Sequence, residues 1–289
     1  MPRFGLAAAL GAALLLAAPA AFAQDPDFAA TTALIAEGRA AEAVPALTQL
    51  AEAGNAEAQL RLGMLYIEGN GVERNVEEGV RLVRLAAEAG LAEGQQELGT
   101  IYFRGTGVER DPVQAVEWYR LAAAQNYVFA QYSLGQRYAA GEGVPQDFAE
   151  ALRWFTLARE QGLTAATYQI GILYANGDGV IRDFARATEL MREAADDLYV
   201  AAMYNLGIAY AAGQGVPADP VESFKWFYVA YYISQQEPGG PIYEAVRDAA
   251  RYLSPAEGEA AQRAGDAFIL ERLAAGAELP PDIPPPAAP

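Results

Sequence analysis

The chain has 289 residues, a formal net charge of −17, and neither cysteine nor histidine. These two absences exclude disulfides, the commonest zinc ligands, and the Cys–His and Ser–His pairs of nucleophilic enzymes. The negative charge argues against binding to nucleic acid or to an anionic membrane, because both require a basic surface. The composition therefore predicts no cofactor, no metal site and no nucleic-acid partner.

The first 23 residues have the pattern of a secretory signal peptide. Arg3 is followed by an apolar run, Leu6–Ala18, and then by the small-x-small sequence Ala21–Ala23 directly before Gln24. The apolar run is short for a membrane-spanning helix, and no stop-transfer charge follows it. We expect cleavage after Ala23, no integral membrane segment in the mature chain, and a periplasmic or secreted location. A retained N-terminal anchor is the alternative.

Residues 24–54 contain two apolar-periodic segments, Phe28–Glu37 and Ala41–Ala53, separated by Gly38. These segments lack the glycine signatures that recur further along the chain. A terminal unit that departs from its neighbours is typical of the end of a repeat array. We therefore predict an N-terminal capping pair of helices.

One sequence pattern organises residues 55–234. The skeleton L/I-G-x-x-Y-x-x-G-x-G-V occurs five times, and each copy begins 36 residues after the previous one. The anchor glycines are Gly63, Gly99, Gly135, Gly171 and Gly207. A fixed period of about 20–50 residues is the signature of a stacked repeat array. The predicted repeats are 55–90, 91–126, 127–162, 163–198 and 199–234. The predicted fold is all-α, a right-handed α-solenoid superhelix of stacked helix–turn–helix repeats with about fourteen helices in all.

The first helix of each repeat carries core residues at a spacing of four, as in Ala58, Leu62 and Tyr66. This spacing places them on one helical face. The anchor glycine costs a helix about 1 kcal/mol of propensity, so its recurrence predicts a helix contact too close for a side chain. The G-x-G loop predicts a left-handed helix end, followed by a valine that packs into the core.

The second helix of each repeat begins with a predicted N-cap at Asn75, Asp111, Asp147, Asp183 or Asp219. Glu or Gln stands three residues later in four repeats (Glu78, Gln114, Glu150 and Glu222), which predicts a capping box that Arg186 breaks in the remaining copy. The aromatic pairs of these helices, such as Trp118–Tyr119, indicate core packing rather than a carbohydrate platform. The G-x-G loops indicate connectors rather than phosphate cradles, because no strand precedes them.

The chain changes character after the repeats. Pro238–Pro241 interrupts it, and helices are then predicted over Ile242–Leu253 and from Ser254 to Leu273, with Ser254 as an N-cap. Residues 235–274 are predicted to form C-terminal capping helices. Residues 275–289 are proline-rich and are expected to form a disordered tail.

The L-G-x-x-Y, G-x-G-V and Trp-Tyr motifs of residues 55–234 resemble the Sel1-like repeat family, an α-solenoid family related to tetratricopeptide repeats. The resemblance implies an adaptor that binds other proteins, and exported bacterial members include regulators of envelope signalling and surface polysaccharide. Some exported, cysteine-rich relatives are ascribed activity on cell-wall or β-lactam substrates. This chain departs from those relatives in having no cysteine and no Ser-x-x-Lys motif.

The candidate partner-binding residues are those that vary between copies while the skeleton does not. Positions −6, −2, +1 and +5 relative to the anchor glycine vary, and their spacing places them on one stripe of the first helix. In a solenoid the first helices line the concave surface, where partners are usually held. The predicted contact residues are Glu57, Arg61, Glu68, Glu93, Glu97, Arg104, Phe129, Ser133, Gln136, Gln169, Ile172, Asn176, Asn205 and Ile208; Met64, Thr100 and four alanines complete the stripe.

The stripe is charged in the first two repeats and apolar or amide-bearing in the last three. An ordinary solvated face is one interpretation, but Phe129, Ile172 and Ile208 favour a contact surface. We therefore predict a non-enzymatic periplasmic scaffold that binds a protein or peptide on its concave face, in envelope or surface-polysaccharide regulation. The alternatives are cell-wall glycan binding and a hydrolase that acts on wall or β-lactam substrates.

Overall fold

The computed structural model describes residues 26–237, 239–280 and 283–286. The predicted signal peptide, its cleavage site and Pro238 lie outside these residues. The described part of the chain contains 14 α-helices and no strand, which confirms the predicted all-α class. Its residues form two compact units, one up to Arg110 and one from Asp111 onward.

The first unit contains five helices that pack in chain order. They are α1 (Pro26–Ala36), α2 (Ala40–Glu52), α3 (Ala56–Glu68), α4 (Val76–Glu88) and α5 (Ala92–Arg104). Each helix contacts the next one along the chain, and α3 also contacts α5. Helices α1 and α2 form the predicted N-terminal pair, and their core cluster is continuous with that of α3. The unit is therefore a stack of helix pairs, as expected for an α-solenoid.

The second unit contains nine described helices that continue the same alternation. They are α6 (Pro112–Ala124), α7 (Val128–Ala140), α8 (Phe148–Glu160), α9 (Thr164–Asn176), α10 (Phe184–Asp196), α11 (Val200–Ala212), α12 (Pro220–Ser234), α13 (Pro241–Ala250) and α14 (Pro255–Ala274). Packing again follows chain order up to α13. Helix α14 then returns to pack on α12, where Phe268 meets the Trp226 ring edge to face at 5.0 Å.

The predicted helix ends are confirmed by the backbone. Each first helix of the five repeats ends at a glycine with positive φ: Gly69, Gly105, Gly141, Gly177 and Gly213. The second helices begin at side-chain N-caps, as where Asp147 Oδ1 accepts the amides of Ala149 and Glu150 at 2.9 and 3.0 Å. These local bonds satisfy backbone groups that a helix end would otherwise leave unpaired.

The predicted capping boxes of the repeats are wrong. The N-cap amide that such a box would use already donates to the tyrosine carbonyl of the preceding helix, at 2.9 Å from Asn75 to Tyr66 and from Asp147 to Tyr138. Glu78 instead accepts two bonds from Arg81 on its own helix. The reciprocal box is found where no repeat tyrosine competes for the amide, at Ser254 and Glu257.

The anchor glycines confirm the predicted close helix contact in three repeats and depart from it in a fourth. A β-carbon on Gly135 or Gly207 would lie 2.5 Å from a ring carbon of Phe155 or Phe227, respectively, on the second helix of the same repeat. Gly63 lies against the backbone of α4 instead. A β-carbon on Gly171 would meet its nearest neighbours at 3.4 Å, which is ordinary contact. The flexible Met191 stands there in place of the phenylalanine ring.

The second glycine of each G-x-G loop has a different role, because it packs against the preceding repeat. Gly179 has φ +70°, and a β-carbon there would lie 2.6 Å from Phe148 Cβ on the first turn of α8. A β-carbon on Gly107 would likewise lie 2.5 Å from Val76 Cγ1 at the start of α4. Both the backbone conformation and the lack of space therefore require glycine.

The proline-rich segment differs from the expected disordered tail where the structure describes it. Ala277 and Leu279 pack against the core cluster around Trp226. Ile283 is buried, and the Tyr232 hydroxyl donates to the Pro284 carbonyl oxygen at 2.7 Å. Such a segment cannot form a core of its own, but its apolar side chains can be buried on a core that already exists.

The two kinds of anchor-glycine environment predict opposite effects of one substitution. We expect Gly135→Ala to lower the free energy of unfolding by about 1–3 kcal/mol, because the new methyl group overlaps the Phe155 ring. Gly171→Ala has room for its methyl group and gains helix propensity, so it should be neutral or stabilising by up to about 1 kcal/mol. Urea denaturation of the two variants measures this difference. Equal destabilisation would contradict the packing described above.

Candidate partner-binding surface

The predicted stripe lies on the solvent side of the first helices in both units. In the first unit it consists of Glu57, Arg61, Glu68, Glu93, Glu97 and Arg104 on α3 and α5, which we call the acidic surface. Glu68 and Arg104 are exposed, and the other four are half-buried. These helices reach the surface here because the opposite side carries the fully buried Ala58, Leu62 and Leu98.

An ion pair joins the two repeats of the acidic surface. Arg61 donates from both terminal nitrogens to the two oxygens of Glu93, at 2.7 and 3.0 Å. This bidentate geometry fixes both side chains and uses the donors by which Arg61 was expected to contact a partner. With Arg61 and Glu93 paired, the carboxylates of Glu57, Glu68 and Glu97 outnumber the guanidinium of Arg104, so the surface keeps a net negative charge.

Glu97 is the most perturbed carboxyl of the acidic surface. Burial raises its pKa, and the neighbouring Glu93 carboxylate raises it further, whereas Arg104 and Arg61 oppose the shift. A half-buried carboxylate whose pKa is raised by burial lacks full compensation for its lost hydration. Glu97 is therefore the position of the acidic surface where a cationic group from a partner would form the most favourable electrostatic interaction.

In the second unit the stripe has a different chemistry. Phe129 is 51% exposed and Ile208 is 38% exposed, although both are large apolar residues. Ile172 lies between them in sequence but packs partly against the core cluster, so it has a structural role as well. Gln136 and Ser133 are half-buried on α7, and Asn176 at the end of α9 donates to Asp178 at 3.0 Å.

Tyrosine–amide hydrogen bonds connect successive repeats along this stripe. Asn205 Nδ2 donates to the Tyr168 hydroxyl oxygen at 2.8 Å, and Gln169 Nε2 approaches the Tyr132 hydroxyl oxygen at 3.5 Å. Each tyrosine stands three residues before its anchor glycine, in the repeat preceding the amide. We call Phe129, Tyr132, Tyr168, Gln169, Tyr199, Asn205 and Ile208 the aromatic–amide surface.

The tyrosines of this surface are not among the contact residues predicted from the sequence. Tyr132, Tyr168 and Tyr204 occupy one position of the last three repeats, where Leu60 and Gln96 stand in the first two. The change from Leu and Gln to tyrosine was the available signal. This change does not by itself indicate a contact surface, because a half-buried tyrosine is compatible with core packing as well as with partner binding.

The aromatic rings of this surface also contact each other. Tyr168 and Tyr199 lie 5.2 Å apart between ring centroids, and Phe129 meets Tyr127 edge to face at 5.7 Å. Burial raises the pKa of the Tyr168 and Tyr199 hydroxyls, so both stay protonated at neutral pH. The surface therefore presents uncharged rings, hydroxyl donors and amide groups.

Residues 26–237, 239–280 and 283–286 contain neither a cluster of metal ligands nor a membrane-spanning helix. No three acidic side chains there come together as possible metal ligands. No helix in the same part of the chain has both the length and the apolar character needed to cross a bilayer. Lys225 is the single lysine of the sequence, and its ammonium group pairs with Glu222 at 2.5 Å above the Trp226 ring.

Comparison with known families supports the repeat assignment. A family model described as Sel1 repeat matches residues 56–91, 92–127, 128–163, 164–197 and 200–232. These matches cover more than half of the chain, and each begins one residue after the limit predicted from the sequence pattern. No curated protein matches the chain.

Solved structures show the same fold. The crystal structure of a Sel1 repeat protein from Oxalobacter formigenes is 29% identical, with a TM-score of 0.66 over 89% of this chain and 92% of that chain. A protective antigen present in uropathogenic Escherichia coli strains, described as displaying an SLR fold, is 23% identical. Its TM-score is 0.52, over 92% of this chain and 67% of that chain, and this similarity concerns the fold alone.

The raised pKa of Glu97 predicts a pH-dependent gain from removing its charge. The folded state binds the Glu97 proton more tightly than the unfolded state, so this group's contribution to stability falls as pH rises from the unfolded to the folded pKa. We expect Glu97→Gln to melt at a higher temperature than the parent at pH 7. The difference should vanish near pH 3, where the carboxyl is largely protonated in both states.

Glu57→Gln provides the control, because it removes one negative charge from the same surface. A gain in melting temperature that is equal in the two variants would attribute the effect to net charge rather than to the burial of Glu97.

Proposed function

The chain belongs to the Sel1 repeat family, and from that premise we propose that it is a non-enzymatic scaffold that holds a peptide segment of another protein on the aromatic–amide surface. Sel1 repeat proteins are generally scaffolds for protein–protein interaction. The observation that supports this site is the hydrogen bond between Asn205 and Tyr168, flanked by the exposed side chains of Phe129 and Ile208. We propose that this surface is part of the concave face predicted from the sequence.

The hydrogen-bonding groups of this surface suit an extended peptide. A tyrosine hydroxyl that accepts a bond from an amide retains its own proton as a donor. The carbonyl oxygen of Asn205 or Gln169 is an acceptor beside it. An extended backbone offers both donors and acceptors, and the hydrogen bonds of the surface recur from one repeat to the next. The proposed partner segment therefore lies across successive first helices.

The exposed apolar side chains supply the second part of the argument. Aromatic residues dominate the energetics of interfaces, because they bury a large area with little loss of conformational entropy. About half of the Phe129 surface and more than a third of the Ile208 surface are exposed to water, although neighbouring core positions are fully buried. In this proposal they insert into apolar parts of the partner, and the amides and tyrosines fix its register.

The acidic surface adds an electrostatic preference. Its net negative charge would attract a partner with basic residues and would speed association, particularly at low salt. The Arg61–Glu93 pair holds the surface in one arrangement before binding. We therefore propose that the partner protein is basic in at least one region.

An enzymatic function is not part of the proposal. The sequence contains no histidine or cysteine, and the ammonium group of its single lysine is held in an ion pair and over an indole ring. These contacts engage the Lys225 ammonium group and hold it away from the role of a general base. Hydrolysis of wall or β-lactam substrates would need a nucleophile and a base that such groups usually supply.

Glycan binding is the second candidate, because the aromatic–amide surface is uncharged and combines rings with amide groups. A cell-wall chain and a peptide differ in what they leave on the protein after capture. The test is to immobilise the protein, expose it to periplasmic extract and identify what it retains. A polypeptide retained in stoichiometric amount supports the scaffold function, and retained wall fragments support glycan binding. We place the partner in the envelope or in surface-polysaccharide regulation, following the predicted export.

We expect Phe129→Ser combined with Ile208→Ser to reduce recovery of the partner at least tenfold, since each residue is an exposed apolar contact. The free energy of unfolding should change little, because exposed substitutions usually stay within about 0.5 kcal/mol. Recovery on the immobilised variant and a thermal melt measure the two effects.

The matched control is Leu121→Ser combined with Ile181→Ser. These residues are also large, apolar and exposed, at 50% and 91%, but they lie outside the aromatic–amide surface. Loss of the partner in both double variants would show that general surface hydrophobicity, rather than this surface, captures it.

Export is tested on the mature protein. We expect the intact mass of the protein isolated from a Gram-negative periplasm to correspond to a chain beginning at Gln24, because a signal peptidase cleaves after the small-x-small sequence. A mass that includes the first 23 residues, together with membrane association, would favour the retained anchor instead.

A further inference from the structure

The second unit contains a cleft at its C-terminal end whose lining shares Tyr199, and no other residue, with the aromatic–amide surface. The cleft has a volume of about 840 Å³. Its walls come from the start of α11, Ile233 at the end of α12, Pro241 and Ile242 at the start of α13, and residues 278–280. Ligand sites commonly measure about 300–1,000 Å³ and are mostly apolar. The cleft adjoins the stripe at Ala201.

One wall of the cleft is formed by a residue in an unusual conformation. Leu198 has φ +58°, a region that favours glycine. Gly90, Asn126 and Gly162 stand at the corresponding positions of three other repeats, also with positive φ. Leu198 is nevertheless buried and lines the cleft. A strained residue at a cavity is an established indication of function, and here leucine supplies an apolar wall that glycine cannot.

The opposite wall is the segment that was expected to be disordered. Leu279 and Pro280 line the cleft. The segment is held by burial of Ile283 and by the hydrogen bond from Tyr232 to Pro284. The open cleft is therefore lined by chain segments that have their own anchoring contacts.

The charged groups at the cleft have one sign. Asp197 and Glu278 are the ionisable acids among its described lining residues, which include no arginine or lysine. Thr164 donates to Asp197 Oδ2 at 2.6 Å and thereby orients that carboxylate. The nearby Arg272 pairs with Asp196 and Glu271. An apolar cleft with two carboxylates complements an apolar group that carries a positive charge.

We propose that this cleft binds a bulky apolar side chain that stands next to a cationic nitrogen, as part of a partner peptide. The apolar side chain lies against Leu198, Ile233 and Ile242, and the cation faces Asp197 and Glu278. The identification of the occupant as a peptide rests on the proposed function. The cleft itself is tested with small probes whose binding does not require Phe129 or Ile208, which do not line it.

Phenylalaninamide and N-acetylphenylalanine are suitable probes, because they share a benzyl group and carry opposite charges at neutral pH. Each is titrated into the mature full chain while the methyl resonances of Ile233 and Ile242 are followed by NMR. We expect saturable shifts with phenylalaninamide and at least fivefold weaker binding of N-acetylphenylalanine. Unsaturable shifts, or equal affinity for the two probes, would overturn the proposal.

Asp197→Asn combined with Glu278→Gln tests the carboxylates. We expect at least a fivefold loss of phenylalaninamide affinity and disappearance of the preference for the cation. Glu160→Gln combined with Glu189→Gln removes the same charge away from the cleft and should retain the preference. Loss of preference in both double variants would refute a local role of the two carboxylates. If the first double variant melts at a lower temperature, its loss of affinity could reflect unfolding. The proposal is then judged by whether the parent chain binds phenylalaninamide more tightly than N-acetylphenylalanine.

The Phe129→Ser and Ile208→Ser variant separates the two proposals. It should bind phenylalaninamide as the parent does, even where it no longer recovers the partner. Partner recovery that survives in this variant would count against the proposed function alone. Absent or unselective probe binding in the parent would count against the cleft alone.

Discussion

The structure depends on the backbone contact that the second loop glycine makes with the preceding repeat. Gly107 and Gly179 have positive φ and leave no room for a β-carbon, because the first turn of an earlier helix lies directly against them. This contact fixes the distance between successive repeats within each unit. A longer loop would remove it, which explains physically why the five copies follow one another without insertion. The stripes of successive first helices then come into register, and Asn205 can reach Tyr168 in the repeat before it.

The fold follows from local patterns in the sequence, whereas the contacts of the candidate site depend on neighbouring repeats. Glycine spacing, N-caps and the buried positions represented by Leu134 report conditions within one helix pair, so the sequence predicts them. The Arg61–Glu93 pair and the Asn205–Tyr168 bond join side chains from different repeats. Their formation depends on the exact offset of the helices, which a single sequence does not specify. The capping boxes were wrong for a related reason, since tyrosine carbonyls of adjoining helices compete for the N-cap amides.

The C-terminal segment shows how composition can mislead. A proline-rich sequence cannot form helices or sheets, and this supports a prediction of disorder when the segment is considered alone. The array, however, ends in helices with apolar surface that no further repeat covers. Ile283 and Leu279 are buried or packed on this surface, and Tyr232 supplies a hydrogen bond. Burial against an existing core needs only a few apolar side chains, because the core residues are already ordered.

Two unfavourable features of the chain coincide with the surfaces that we propose for binding. Glu97 retains a half-buried carboxyl whose pKa is raised by burial, and Leu198 adopts a left-handed conformation that glycine or asparagine adopts in the three preceding repeats. Neither side chain is required by the repeat: no other copy has a carboxyl at the position of Glu97, and glycine or asparagine, which tolerate positive φ better than leucine, precede Leu198 in the array. Both occur on surfaces with negative charge, one on α5 and one at the cleft. A partner that brings a cation to Glu97 compensates its lost hydration, so binding and stability are linked there. The same reasoning favours basic partners for each unit independently.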